Sequence, residues 1–232
     1  MQRVSITYVI DDEQYQADIG ARTTTIDLTN TGLSSIDLRN VSGLRDLREL
    51  KLSGNLLETV DLSPLRECRH LELVDLSRNR LESIDLSPVM GHGNLRSVSL
   101  SHNRLRSVEV GDTPSLSRLV WFYADHNLIS ELDMRPFARC GELEYLVLSS
   151  NHLKNISIRP LLNCRKLRYL MLDGNPLESL DISVLFHLYS LEVFSVDDST
   201  ELVADSHLKG ASDIPLAVVS RIGRVNWTSV VH

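Results

Sequence analysis

Residues 143–164 read LEYLVLSSNHLKNISIRPLLNC, and residues 47–68 read LRELKLSGNLLETVDLSPLREC. Set side by side, the two share leucines at the first, fourth and sixth places, an asparagine at the ninth and a cysteine at the last. The asparagines belong to a series: Asn55, Asn79, Asn103, Asn127, Asn151 and Asn175 are each 24 residues apart. LELVDLSRNRLESIDLSPV at 71–89 repeats the frame. One step earlier, TTTIDLTNTGLSSIDLRNVSGL carries Thr31 in the asparagine slot, and one step after the series LEVFSVDDS carries Ser199. Self-similarity at such a period signals stacked repeats.

The shared pattern is LxxLxLxxNxLxxIDLSPLxxCxx. LxL alternates with period two, so both leucines of a strand point one way and their neighbours the other. The Ser63-Pro64 and Ser87-Pro88 pairs predict a serine N-cap followed by a first-turn proline. Leu65, Cys68 and Leu71 then fall three apart, the inner face of a short helix. One repeat cannot bury this apolar set, but stacked repeats can. The asparagine sits at the bend after the strand, where its amide can pair with backbone groups stripped of partners.

These residues resemble the leucine-rich repeat superfamily over residues 23–199, and the IDLSPLxxC tail looks like repeats of microbial members. The resemblance implies an α/β solenoid: a parallel concave sheet, here of about nine strands, with short 3-10 or α segments outside. We divide the chain into an N-terminal capping hairpin (1–22), the 24-residue repeats (23–199) and a C-terminal cap (200–232). In the first, Val4, Ile6 and Tyr8 alternate, Asp11-Asp12-Glu13 turns, and Tyr15, Ala17 and Ile19 alternate again. In the last, Pro215 is followed by Leu216, Val219, Ile222, Val225 and Trp227 at the offsets that follow Pro64. That predicts a ninth strand at about 224–228 with its Trp closing the core, and a polar loop insertion at 200–214.

The chain has 232 residues, 42% apolar and 24% charged, which suits one ordered domain. A net charge of -7 disfavours nucleic acid as main partner. No basic start with an apolar run opens the sequence, and no apolar segment nears a membrane span. Three cysteines make no disulfide framework, and a cytoplasmic setting is the simplest reading. Cys68, Cys140 and Cys164 share one repeat slot with His92, Leu116 and Leu188, so they read as small buried hydrophobes. No nucleophile elbow, phosphate loop or zinc-type spacing occurs, so we expect a non-enzyme without cofactor or metal site. Asp37, Asp61, Asp85, Asp133 and Asp181 form a ladder; a cation is conceivable there, but capping of local backbone is the favoured reading. His102 and His126 follow the strands of adjacent repeats next to Asp125; pH sensing or metal binding is conceivable there, but ordinary surface exposure is the favoured reading.

The outward residues of the strands carry the functional reading. Early repeats place Thr25 and Asp27, Glu49 and Lys51, Leu73 and Asp75, then Ser97 and Ser99 there. LVWFYADHN at 119–127 then puts Trp121 and Tyr123 on a face that ought to be wet. Tyr145 and Val147, and Tyr169 and Met171, follow on the next two repeats. Two adjoining columns of large side chains suit a binding hot spot. Asp125, Asp173 and Asp197 lie at its edge, with Glu144, Glu192 and Asp198 nearby. The expected partner is a protein or peptide with an apolar centre and basic surroundings. Self-association as a weak homodimer, against a monomer, and a purely structural role are the alternatives.

Overall fold

The computed structural model describes residues 3–111 and 118–229. The LxL segments form three-residue strands: Thr25–Asp27, Glu49–Lys51, Leu73–Asp75, Ser97–Ser99, Trp121–Tyr123, Tyr145–Val147, Tyr169–Met171 and Val193–Ser195. They pair in chain order as one eight-stranded parallel sheet, each residue opposite its counterpart 24 positions on. The middle residue of each strand turns inward, and Leu50, Val74, Val98, Phe122, Leu146 and Leu170 are fully buried. Phe137 meets Phe122 edge to face at 5.0 Å between ring centroids. This is a leucine-rich repeat solenoid with a concave parallel sheet.

The asparagines bind each turn of the coil to its neighbours. Asn151 donates from Nδ2 to Ala124 O (2.9 Å) and Leu148 O (3.0 Å), and its Oδ1 accepts from Ile129 N–H (3.0 Å). Asn79, Asn103, Asn127 and Asn175 repeat this set, and Asn55 adds Thr31 N–H to it. The residue before each asparagine, and before Thr31 in the first repeat, is left-handed: Asn30, Gly54, Arg78, His102, His126, Ser150 and Gly174 have φ between 53° and 69°. A Cβ on Gly54 would come within 1.9 Å of Asn30 Oδ1, so glycine is required there.

The opposite wall is built from short helices and strands. Five-residue 3-10 helices span Arg39–Gly43, Ser63–Glu67, Arg135–Arg139, Arg159–Asn163 and Ser183–His187, and a single α-turn spans Ser87–Met90. The serine caps expected at Ser63 and Ser87 are not formed: Leu62 and Leu86 occupy the cap positions with no side-chain bond. The aspartate two residues ahead does that work. Asp37, Asp61, Asp85, Asp133 and Asp181 each accept from the N–H two positions on, at 2.8–2.9 Å. The carboxylate ladder is thus engaged in local turns. Some IDL segments go further and pair as strands, Ser83–Asp85 with Ser107–Glu109.

Cys68, Cys140 and Cys164 are buried and free. Burial lifts the Cys68 thiol to about 11, Cys164 to about 12 and Cys140 higher still. Leu116, read from sequence into the same slot, lies outside the described residues.

Both ends differ from simple stacking. The hairpin Arg3–Ile10 and Glu13–Gly20 attaches antiparallel to Leu33–Asp37, the outer strand of the first repeat. At the other end the expected ninth concave strand is absent from the eight-stranded sheet. Val225–Thr228 is a strand, but it pairs with Glu201–Asp205, which pairs with Ser179–Asp181 on the outer wall. The expected polar loop at 200–214 therefore opens with a strand, whose Leu202 and Ala204 are buried. Leu216 and Val219, expected inside, are 84% and 48% exposed, while Val218 is buried. Trp227 packs partly against the core, edge-on to Phe186 at 5.8 Å. Two arginines occupy the concave edge instead of a strand. Arg221 donates to Phe194 O (3.0 Å), and Arg224 to the carbonyls of Asp197, Asp198 and Thr200. Among the described residues no helix is long and apolar enough to cross a membrane.

Candidate functional site

Strand alternation sends Trp121, Tyr123, Tyr145, Val147, Tyr169 and Met171 to the concave surface, each half-buried, while Phe122, Leu146 and Leu170 between them are fully buried. Register makes two columns. Trp121, Tyr145, Tyr169 and Val193 are consecutive partners in one; Tyr123, Val147, Met171 and Ser195 are consecutive partners in the other. On the N-terminal side Trp121 and Tyr123 face Ser97 and Ser99, so the aromatic ground rises abruptly from a serine floor.

The rings are ordered against one another. Tyr145 and Tyr169 stack with centroids 4.5 Å apart and planes 6° apart, and Tyr123 leans on Tyr145 at 6.4 Å. The Arg168 guanidinium lies 5.6 Å from the Tyr169 ring centroid. It also binds Glu192 through Nε (2.8 Å) and Nη2 (3.1 Å), and Glu144 approaches it at 3.9 Å. Tyr169 donates its hydroxyl to Glu192 (3.2 Å). That bond raises the Tyr169 pKa, while the Arg168 hydrogen bond lowers that of Glu192. Burial raises the Tyr123 phenol.

The acidic edge is less open than the sequence suggests. Glu144 and Glu192 share Arg168, and Asp198 pairs with Arg224 at 2.6 Å. Asp125, Asp173 and Asp197 remain, in one row beyond the strand ends and all half-buried. The Ser101 hydroxyl donates to Asp125 and the Ser149 hydroxyl to Asp173 (2.8 Å). Burial acts to raise the Asp173 carboxyl, yet hydrogen bonds from Ser195 and Ser149 outweigh it and hold the carboxyl below its ordinary value.

All nine residues proposed from sequence thus stand on the concave face or its rim. Arg168 is the participant that sequence reasoning missed. Its signal was present: Arg48, Glu72, Arg96, Glu144, Arg168 and Glu192 fall in one repeat slot. Of these, Arg48 meets Glu72 at 2.6 Å one turn away. Opposite charges 24 residues apart become neighbours across adjacent strands.

A sequence profile described as leucine rich repeat matches residues 21–81, 69–129 and 117–177, starting points two repeats apart. No curated protein sequence gives a significant match. Among solved structures, internalin C2 of Listeria monocytogenes shares 23% identity over 75% of this chain and 80% of that one, with a TM-score of 0.52. The plant peptide hormone receptor RGFR1, solved in complex with RGF2, shares 23% identity over 76% of this chain and only 28% of its own, with a TM-score of 0.62. A leucine-rich repeat protein of Leptospira interrogans shares 19% identity over 82% of this chain and 52% of its own, with a TM-score of 0.59. These are likenesses of fold. With the profile spanning well over half of its length, this chain belongs to the leucine-rich repeat family.

Proposed function

We propose that the chain is a non-enzymatic scaffold that docks a protein or peptide on the aromatic patch of its C-terminal concave half. Leucine-rich repeat domains generally mediate protein–protein interaction, and the repeat itself is a non-catalytic scaffold. The observation that carries this reading is the stacked, half-buried cluster of Trp121, Tyr123, Tyr145 and Tyr169 beside the serine floor of Ser97 and Ser99. Trp and Tyr dominate interface hot spots, and rings already held in place lose little freedom on binding. Val147 and Met171 widen the apolar floor. The row of Asp125, Asp173 and Asp197 favours a ligand with an apolar centre and a basic flank. A cytoplasmic setting belongs to the same proposal, supported by three unpaired, buried cysteines.

Selection of a displayed peptide library on the purified protein tests this. Selected peptides should bind a triple variant, Trp121→Ala, Tyr145→Ala and Tyr169→Ala, at least tenfold more weakly, about 1.4 kcal/mol. An Asp61→Asn control on the opposite wall should leave binding unchanged. Equal binding to a triple variant that retains the circular dichroism of the parent defeats the reading. Light scattering across a concentration series separates a monomer from a homodimer formed through the same patch.

A further inference from the structure

Among the described residues one group brings metal-ligating atoms together away from the aromatic columns: His102, Asp125 and His126, whose donor atoms all lie within 4.8 Å of one another. The backbone fixes where these side chains begin. His102 and His126 fill the left-handed slot on consecutive turns, with φ of 57° and 53°. Their N–H groups donate to Asp125 O (2.9 Å) and Ser149 O (3.0 Å). The imidazoles therefore leave the coil one strand spacing apart and stack, centroids 4.4 Å apart and planes 9° apart.

Asp125 completes the group. Its Oδ1 is held by the Ser101 hydroxyl, which leaves Oδ2 facing His126 Nε2 at 3.9 Å. Two other histidine rings are engaged elsewhere: His92 with Arg66 O, His207 with Asp205. Among the described residues the His102 ring has no hydrogen-bond partner and stacks on its neighbouring imidazole. The His126 side chain is about half exposed, so water can reach the group.

We propose that His102, His126 and Asp125 bind a divalent transition-metal ion of the zinc, cobalt or nickel type, with solvent completing the coordination. Two imidazole nitrogens and one carboxylate oxygen form a donor set that suits these ions rather than calcium or magnesium. Zinc–nitrogen bonds of about 2.0–2.1 Å place tetrahedral donors ~3.4 Å apart. Reaching that spacing requires the exposed rings to rotate about their side-chain bonds out of the parallel stack, so that both in-plane nitrogen lone pairs point at the ion. The Ser101 hydroxyl would serve as a positioning group, orienting the carboxylate from behind. This site shares Asp125 with the rim of the proposed docking surface but needs none of the aromatic columns, so the histidine variants and the aromatic variants test the two proposals separately.

The test is titration of the untagged protein with cobalt(II), followed by visible d–d absorption, and with zinc(II) by calorimetry. Saturation at one equivalent is expected. A double variant, His102→Asn with His126→Asn, tolerates the left-handed turn and should abolish the signal. Ser101→Ala should weaken binding by about tenfold or more. A control with His152→Asn and His207→Asn should match the parent. Absence of saturable binding overturns the proposal. So does a double variant that binds like the parent, or a thiolate-to-cobalt charge-transfer band that places the ion on the cysteines.

Discussion

The asparagine at the bend shows how one residue type holds a coil together. Asn151 gives hydrogen bonds to Leu148 O and, at 3.3 Å, Ser149 O of its own turn and to Ala124 O of the preceding one, and takes one from Ile129 N–H of that preceding turn. In an Asn151→Ala variant Ala124 O keeps a bond from Asn127, Leu148 O keeps one from Asn175, and Ser149 O keeps one from His126 N–H. Only the Ile129 N–H is left with no partner. The expected loss is therefore about 1–3 kcal/mol, the cost of one orphaned group, rather than three times that. Chemical denaturation should show it as a lower midpoint. The asparagine's role was legible because one residue recurs at a fixed interval. The left-handed residue before it was not, because Asn30, Gly54, Arg78, His102, His126, Ser150 and Gly174 share a backbone shape and no side-chain chemistry. Arginine, histidine and serine accept that conformation because the surrounding rung hydrogen bonds impose it.

At the scale of elements, the concave strands could be read directly and the outer ones could not. LxL is a period-two signal reinforced by its copies, and it placed Trp121, Tyr145 and Tyr169 outward as found. The three-residue IDL segments carry the same signal too briefly, and whether each pairs depends on its neighbour. The C-terminal cap misled for a related reason. Apolar offsets after Pro215 match those after Pro64, yet Val218, not Val219, turns inward. The alternation in ELVAD at 201–205 was the better guide. The finished cap leaves Val193–Ser195 as an edge strand guarded by Arg221 and Arg224. Unguarded strand edges recruit other strands. Replacing both arginines with alanine should give larger species than the parent at equal concentration in light scattering. Identical profiles would mean that the guanidiniums only fasten the cap.

For the whole molecule, ionisable groups tie stability to pH in two stages. Burial holds His92 below its ordinary 6.5, so the neutral ring favours the fold, and that contribution is lost as acid protonates it. The second stage belongs to carboxyls. A side-chain hydrogen bond from Arg39, then its N–H, bring Asp37 to about 2, and Asp61 and Asp133 are lowered by Ser63 and Arg135. Their contributions are complete above the ordinary carboxylate value of about 4 and fade toward about pH 2. Urea midpoints should therefore fall gently below about pH 6.5 and more steeply below about pH 4. His92→Leu, with the residue that Leu188 already places in that slot, should flatten the first stage and spare the second. An unchanged first stage would assign it to other groups.

The ladder of amides also says what the coil can lose. Because each asparagine fastening recurs at the same positions in successive copies, cutting out one complete inner unit and rejoining its flanks would restore those fastenings with the next copy along. Removing the serine-faced unit should therefore shorten the arch and bring the aromatic shelf nearer the amino-terminal hairpin, without unmaking either. Its span behaves as a setting that duplication or excision of DNA could adjust in whole steps.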